Sequence, residues 1–142
     1  MGSWADKIAE RVETYERRLT AAFKGAAQDV ARGVTTPVAA GGNMRVKTGF
    51  LRASMQASTT EMPKMDPTAR PPEGTKDNAF SFNRNSVSAV IIGASHNDTI
   101  YLGFTAAYAA YREVWDGFIE KERLKWPQTV ESNSRKAIRA FP

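Results

Sequence analysis

From Trp4 to Val34 the apolar residues return at every third or fourth position, and this periodic run limits the available folds more than any other feature. Trp4, Ile8, Val12, Tyr15, Leu19, Ala22, Phe23, Ala26, Val30 and Val34 share one helical face. Ser3 with Asp6 makes a capping-box pattern at the start, and Gly33, followed by Thr35, Thr36 and Pro37, supplies the stop. Roughly thirty residues at 1.5 Å each predict a rod of ~45 Å, longer than a compact domain of this size is wide. Such a helix projects beyond its own core. Ala5, Ile8, Val12, Tyr15, Leu19, Ala22 and Ala26 also fit a and d heptad positions. Asp29 at the next d position, Gly25 and poor e/g charge complementarity disfavour a coiled coil. Packing on the protein's own sheet, or on a neighbouring copy, is the expectation.

A length of 142 residues predicts one domain, large enough to fold without a disulfide or metal staple. Zero Cys excludes disulfide frameworks, thiolate zinc, iron–sulfur ligation and Cys nucleophiles, and a single His excludes a multi-His metal site within one chain. No cofactor is expected. The opening residues carry Asp6 and Glu10 with no apolar run, unlike a secretory signal. The densest apolar stretch, Ala89 to Ile92, is far short of the ~20 residues a bilayer span needs. These features predict a soluble protein of a reducing compartment, without a membrane partner.

The net charge of +5 is spread out: +1 over residues 1–34, +2 over 35–78, 0 over 79–104 and +2 over 105–142. A dedicated nucleic-acid domain would concentrate it in a stripe. One local exception runs from Val30 to Thr60, where Arg32, Arg45, Lys47 and Arg52 stand with no carboxylate. This stretch is either a solvated loop or a surface for an anion, phosphate or acidic protein.

After Pro37 and Gly41-Gly42, Thr48 to Arg52 fits one helical turn capped by Thr48, and Ala53 to Thr59 alternates like a strand with one wet face. Residues 61–78, with Pro63, Pro67, Pro71, Pro72 and Gly74, form a long irregular loop that is expected to be mobile or functional. A β region is predicted to begin at Phe80-Ser81-Phe82. Val87–Gly93 and Thr99–Phe104 read as two strands of a hairpin joined through His96. Tyr108, Tyr111, Val114 and Trp115 lie on one side of a short helix ending near Asp116-Gly117. A final helical stretch runs from Phe118 toward Arg139, where Pro127 kinks it or starts a new helix. The expected class is α+β: a long N-terminal helix, a small antiparallel sheet, then a short helix and a C-terminal helix packed on that sheet.

No catalytic constellation stands out. Gly41 to Thr48 misses a phosphate-cradling loop because Val46 stands where a glycine must bend the backbone. His96 beside Asn97 and Asp98 fits surface turn chemistry, with no nucleophile to activate. Glu113, Asp116, Glu120 and Glu122 alternate with Arg112, Lys121, Arg123 and Lys125, the pattern of a salt-bridged helix surface. Trp4, Trp115 and Trp126, with the tyrosines, sit on faces expected to pack in the core. Aromatics exposed among cations would instead stack on bases.

Two segments carry a resemblance. Val46-Lys47-Thr48-Gly49-Phe50-Leu51-Arg52-Ala53-Ser54-Met55 reads apolar, any, Thr-Gly, any, Leu-Arg, any, Ser, apolar. Tyr108-Ala109-Ala110-Tyr111-Arg112-Glu113-Val114-Trp115-Asp116-Gly117 follows after the β region. Their order along the chain resembles the head–tail joining, or tail-completion, proteins of long-tailed bacteriophages and gene-transfer particles. Arg112 stands where that family has an apolar residue, and Gly117 follows Glu113 later than its glycine does. The resemblance implies a single head–tail joining domain over 1–142 and a non-enzymatic neck subunit in the virion, assembled in the host bacterial cytoplasm. Its partners would be copies of itself in a ring of six or twelve, a portal or head–tail adaptor, and a tail terminator or tail tube protein. DNA in the channel is a further candidate partner, facing Arg45 and Lys47. The family motif would comprise Thr48, Gly49, Leu51, Arg52, Ser54, Tyr108, Tyr111, Glu113 and Gly117. The competing expectation is a small basic nucleic-acid-binding module.

Overall fold

The structure, a computed structural model, describes residues 2–142. The chain begins with α1 (Trp4–Thr35), 32 residues or about 48 Å at 1.5 Å per residue. The capping box forms: the Ser3 hydroxyl accepts from the Asp6 N–H and the Asp6 carboxylate accepts from the Ser3 N–H. A single turn of 3₁₀ helix (Val38–Ala40) then leads to α2 (Phe50–Ala53) and β1 (Met55–Ser58). Residues 61–78 contain no helix or strand. Next come α3 (Arg84–Gly93), β2 (Tyr101–Phe104), α4 (Ala109–Asp116), α5 (Phe118–Leu124) and α6 (Trp126–Ala140). The class is α+β, with a two-stranded antiparallel sheet against which helices pack. Among the described residues no helix is long and apolar enough to cross a membrane.

The sheet corrects the predicted hairpin. Val87–Gly93 is not a strand but most of α3, and β2 pairs with β1, Met55 opposite Phe104 and Ser58 opposite Tyr101. The Asn83 side chain caps α3 by accepting from the Asn85 N–H, and Val87 and Ile91, one turn apart, are both buried. A strand would have put Val87 and Ile91 on one face with Ala89 between them. Here Ala89 and Ile92 face solvent, the pattern of a helix with one dry side. Phe80-Ser81-Phe82 is irregular chain, tied by the Phe80 N–H to the Thr48 carbonyl.

The core joins the C-terminal half of α1 (Ala31, Val34) to Met44, Leu51, Met55, Val87, Ile91, Phe104, Ala106 and Phe118. Phe104 and Phe118 meet edge to face with centroids 5.3 Å apart. The C-terminal helix packs chiefly along α1, where Asn133 Nδ2 donates to Asp29 at 2.8 Å. Pro127 sits in the first turn of α6, so it starts a helix rather than kinking one. Gly33 is an interior residue of α1. The Glu122 carboxylate occupies the space a Cβ would take there, so α5 packs on α1 where the side chain is missing.

The tryptophans correct another expectation. Trp4 (79% exposed), Trp115 (69%) and Trp126 (48%) face solvent, as do Tyr111 and Val114. Along α1 the apolar stripe is buried only from Ala26 onward, while Ile8, Val12, Tyr15 and Leu19 stay exposed beyond the end of α6. Arg18 marks the boundary: its Nε donates to the Phe141 carbonyl at 2.6 Å.

Candidate functional site

The two motif segments meet in an open groove of about 610 Å³, between the Thr48–Arg52 turn, the start of α4 and the Pro71–Thr75 segment of the long loop. The turn is built from the backbone upward. Gly49 has φ +84°, a left-handed conformation that side chains resist, and a Cβ there would run into the Phe80 carbonyl. Gly49 therefore occupies the cap position of α2. Thr48 still contributes, its hydroxyl accepting from the Phe50 N–H at 3.2 Å. Leu51 is buried in the core and fixes the turn. Ser54 closes it: its hydroxyl donates to the Leu51 carbonyl at 2.7 Å, and its own carbonyl accepts from the Thr105 N–H beyond β2.

Tyr108 reaches this turn from the other motif. Its ring lies 6.4 Å from that of Phe50, which Phe80 meets edge-on at 5.1 Å. Burial pushes the Tyr108 phenol above its ordinary value. The nearby Leu51 backbone and Thr48 side chain, and the charge of Arg112, oppose that rise.

The cations are of two kinds. Arg52 is fixed, with Nε donating to the Thr35 carbonyl at the end of α1 (2.7 Å) and its guanidinium 5.5 Å from the Phe82 ring centroid. Arg112 is fixed too, gripping the buried Asp116 carboxylate with bonds of 2.7 and 2.9 Å. Arg45 and Lys47 stand exposed at the rim. Arg45 is 3.8 Å from Asp116, with 77% of its side chain exposed, and Lys47 has no side-chain partner among the described residues.

The remaining motif residues serve the α4–α5 junction. The Glu113 carboxylate accepts from the N–H groups of Ile119 and Glu120, both at 2.9 Å, and so caps α5. Gly117 ends α4 at φ +64°, its N–H donating to the Glu113 carbonyl at 2.8 Å. Tyr111 points outward, 6.3 Å from Trp115. Thus Thr48, Gly49, Leu51, Arg52, Tyr108, Arg45 and Lys47 gather at the groove, whereas Ser54, Glu113, Gly117 and Tyr111 do not.

His96 lies elsewhere, its Nδ1 2.9 Å from the Thr20 hydroxyl. Among the described residues no group of His, Asp and Glu side chains is placed to hold a metal ion. Sequence reasoning grouped Arg112 and Asp116 in a salt-bridged helix surface, and they do pair at i, i+4, but it missed that the Asp116 carboxylate is buried. It also missed the wall formed by Pro71 and Pro72, which no local pattern assigns to this turn. The groove offers an apolar floor with a positive rim. No family model matches this sequence, nor does any curated protein or solved structure.

Proposed function

We propose that this chain is a non-enzymatic structural subunit of a bacteriophage neck, a ring of copies joining the DNA-filled head at its portal or adaptor to the tail tube or its terminator. The observation that carries the proposal is the meeting of Tyr108 with the Thr48–Leu51 turn: two segments far apart in sequence, each resembling the head–tail joining family, pack as one unit. Further support comes from the uncovered stripe of α1, where Trp4, Ile8, Val12, Tyr15 and Leu19 are exposed in a single chain. A ring brings different patches of successive copies together and would cover such a face. Free chains associate weakly, and the ring closes on its neighbours in the virion.

Mass determination in solution, together with imaging of purified particles, tests this. A symmetric ring at the neck is expected. Absence from particles, or a lone copy inside them, overturns it. A second reading, a nucleic-acid-binding module, is favoured only by the exposed Arg45 and Lys47 at the rim. It requires DNA binding that weakens steeply with salt and is lost in the Arg45→Ala/Lys47→Ala double variant.

A further inference from the structure

We infer that the groove between the Thr48–Arg52 turn and α4 is a docking site for an extended acidic segment of a partner protein, one that carries an apolar side chain next to its carboxylates. The inference goes beyond the neck proposal and does not depend on it.

Charge commits the occupant. Arg45, Lys47, Arg52 and Arg112 line the groove and no carboxylate does. Asp116, behind Arg112, offsets one of these charges, and Arg52 is consumed by the end of α1. The surplus therefore sits at the rim on Arg45 and Lys47, two exposed cations of the kind that take a carboxylate each from water-exposed positions. Arg45 is only 3.8 Å from Asp116, so a partner carboxylate meets a guanidinium that has no tight competing bond.

The floor selects polypeptide over nucleic acid. Val46, Phe50 and Tyr108 are half-buried, and Pro71 and Pro72 form a wall with no backbone N–H. Phe50 is engaged by Phe80 and Tyr108, so its ring is packed rather than presented as a platform for a base. Sequence-tolerant strand binding uses free aromatic faces along a continuous basic track, and two rim cations are too few for one. A Leu, Phe or Trp side chain on the floor with Asp or Glu at the rim uses everything the groove offers.

The test selects a display library of random twelve-residue peptides against the full-length chain at low salt. The best peptide and a twelve-nucleotide oligothymidylate are then titrated as fluorescent probes. Selected peptides are expected to combine Asp or Glu with a neighbouring large apolar residue. Arg45→Glu/Lys47→Glu should weaken the best peptide at least tenfold in a chain that stays folded at the temperature of the titration, since both side chains are exposed. A control reversal on α6, Arg135→Glu/Lys136→Glu, should leave binding as in the wild type. Recovery of no peptide, of peptides without acidic bias, or of peptides insensitive to the rim reversal overturns the inference. So does oligothymidylate binding more tightly than every selected peptide. Each of these results leaves the ring in particles untouched, so the two proposals fail separately.

Discussion

Arg52 Nε donates to the backbone carbonyl of Thr35 at 2.7 Å, so a side chain of the Thr-Gly-x-Leu-Arg turn satisfies a carbonyl at the end of the longest helix. In the sequence, Arg52 stands with Arg45 and Lys47 in a carboxylate-free stretch suited to an anion. The partner is instead a main-chain oxygen, with the Phe82 ring beside the guanidinium. Hydrogen bonds from charged groups contribute about 1.5–3 kcal/mol. Arg52→Ala is therefore expected to lower stability by an amount near the bottom of that range, because the site is half-buried. The Arg45→Ala/Lys47→Ala variant should melt like the wild type. Equal melting temperatures for Arg52→Ala and the double variant would remove the distinction.

The helical assignment of α3 has its own signature. Ile91 is fully buried and Ile92 is 65% exposed, though they are adjacent and chemically identical. Ile91→Ala should cost about 2–5 kcal/mol through lost burial and the cavity left behind. Ile92→Ala should stay within about 0.5 kcal/mol. Both strand and helix place these neighbours apart, so Val87 decides between them less well than Ala89 does. Ala89→Val adds a β-branched residue on the solvent face of a helix and should destabilise slightly, whereas an inward strand position would gain from it. Denaturant melts of the three variants check the order.

What the sequence made legible was local and periodic. The Ser3–Asp6 box, the stop at Gly117 and the alternation from Ala53 to Thr59 are short-range patterns, and each appears as an element boundary or, in its Met55–Ser58 part, a strand. The run from Val87 to Ile92 misled because Val and Ile favour strands by composition, while the Asn83 cap and the i, i+4 burial of Val87 and Ile91 favour a helix. With that run helical, β2 had to find its partner 43 to 49 residues earlier, a pairing no local rule contains. The groove was half legible: both motifs stood out, but their contact through Tyr108 is tertiary. The exposed Trp4 and Trp115 were misplaced because amphipathic periodicity marks a face without saying whether the chain itself covers it.

Gly33 makes a prediction whose sign depends on a second residue. A methyl group at position 33 would collide with the Glu122 carboxylate, so Gly33→Ala should destabilise by about 1–3 kcal/mol, as overpacking does. In a Glu122→Ala background the obstacle is gone, and only the helix preference of Ala over Gly remains, about 0.5–1 kcal/mol in its favour. Lys125, which pairs with Glu122 at 3.1 Å, is largely exposed and tolerates the loss. Thermal melts of the two single variants and the double should therefore reverse the effect of Gly33→Ala. A methyl that destabilises equally in both backgrounds would show that something other than Glu122 fills the space.

Tyr108 ties stability to alkaline pH. Burial raises its pKa above the ordinary value of 10.0, so the folded chain holds the phenolic proton more tightly than the unfolded chain does. That contribution is complete below the unfolded pKa and is lost as pH rises through the folded one. Stability should consequently decline above about pH 10. An ultraviolet absorbance titration should show one tyrosine ionising late, and Tyr108→Phe should remove that late phase. If the phase persists in Tyr108→Phe, it belongs to another tyrosine.

The long loop gives the last prediction. Its composition led us to expect mobility over residues 61–78, and it contains no regular structure, yet it is tied to the fold at defined points. The Asp66 N–H donates to the Thr105 carbonyl at 2.9 Å, the Ala107 N–H to the Ala69 carbonyl at 2.9 Å, and the Asn78 N–H to the Lys47 carbonyl at 2.7 Å. Thr68 donates its hydroxyl and N–H to the Asp66 carboxylate, which holds that carboxyl below its ordinary pKa and fixes the turn. Hydrogen exchange of the free chain should therefore be uneven. The Asp66, Asn78 and Ala107 amides should exchange more slowly than those of Lys64, Arg70 and Glu73, for which the structure gives no internal acceptor. Lowering the pH until Asp66 is protonated should weaken the Thr68 bonds and speed exchange at Thr68 relative to Asn78, after correction for the intrinsic pH dependence. Uniformly immediate exchange from 61 to 78 would mean that these ties do not hold in solution and that the Pro71–Pro72 wall of the groove forms only against a partner.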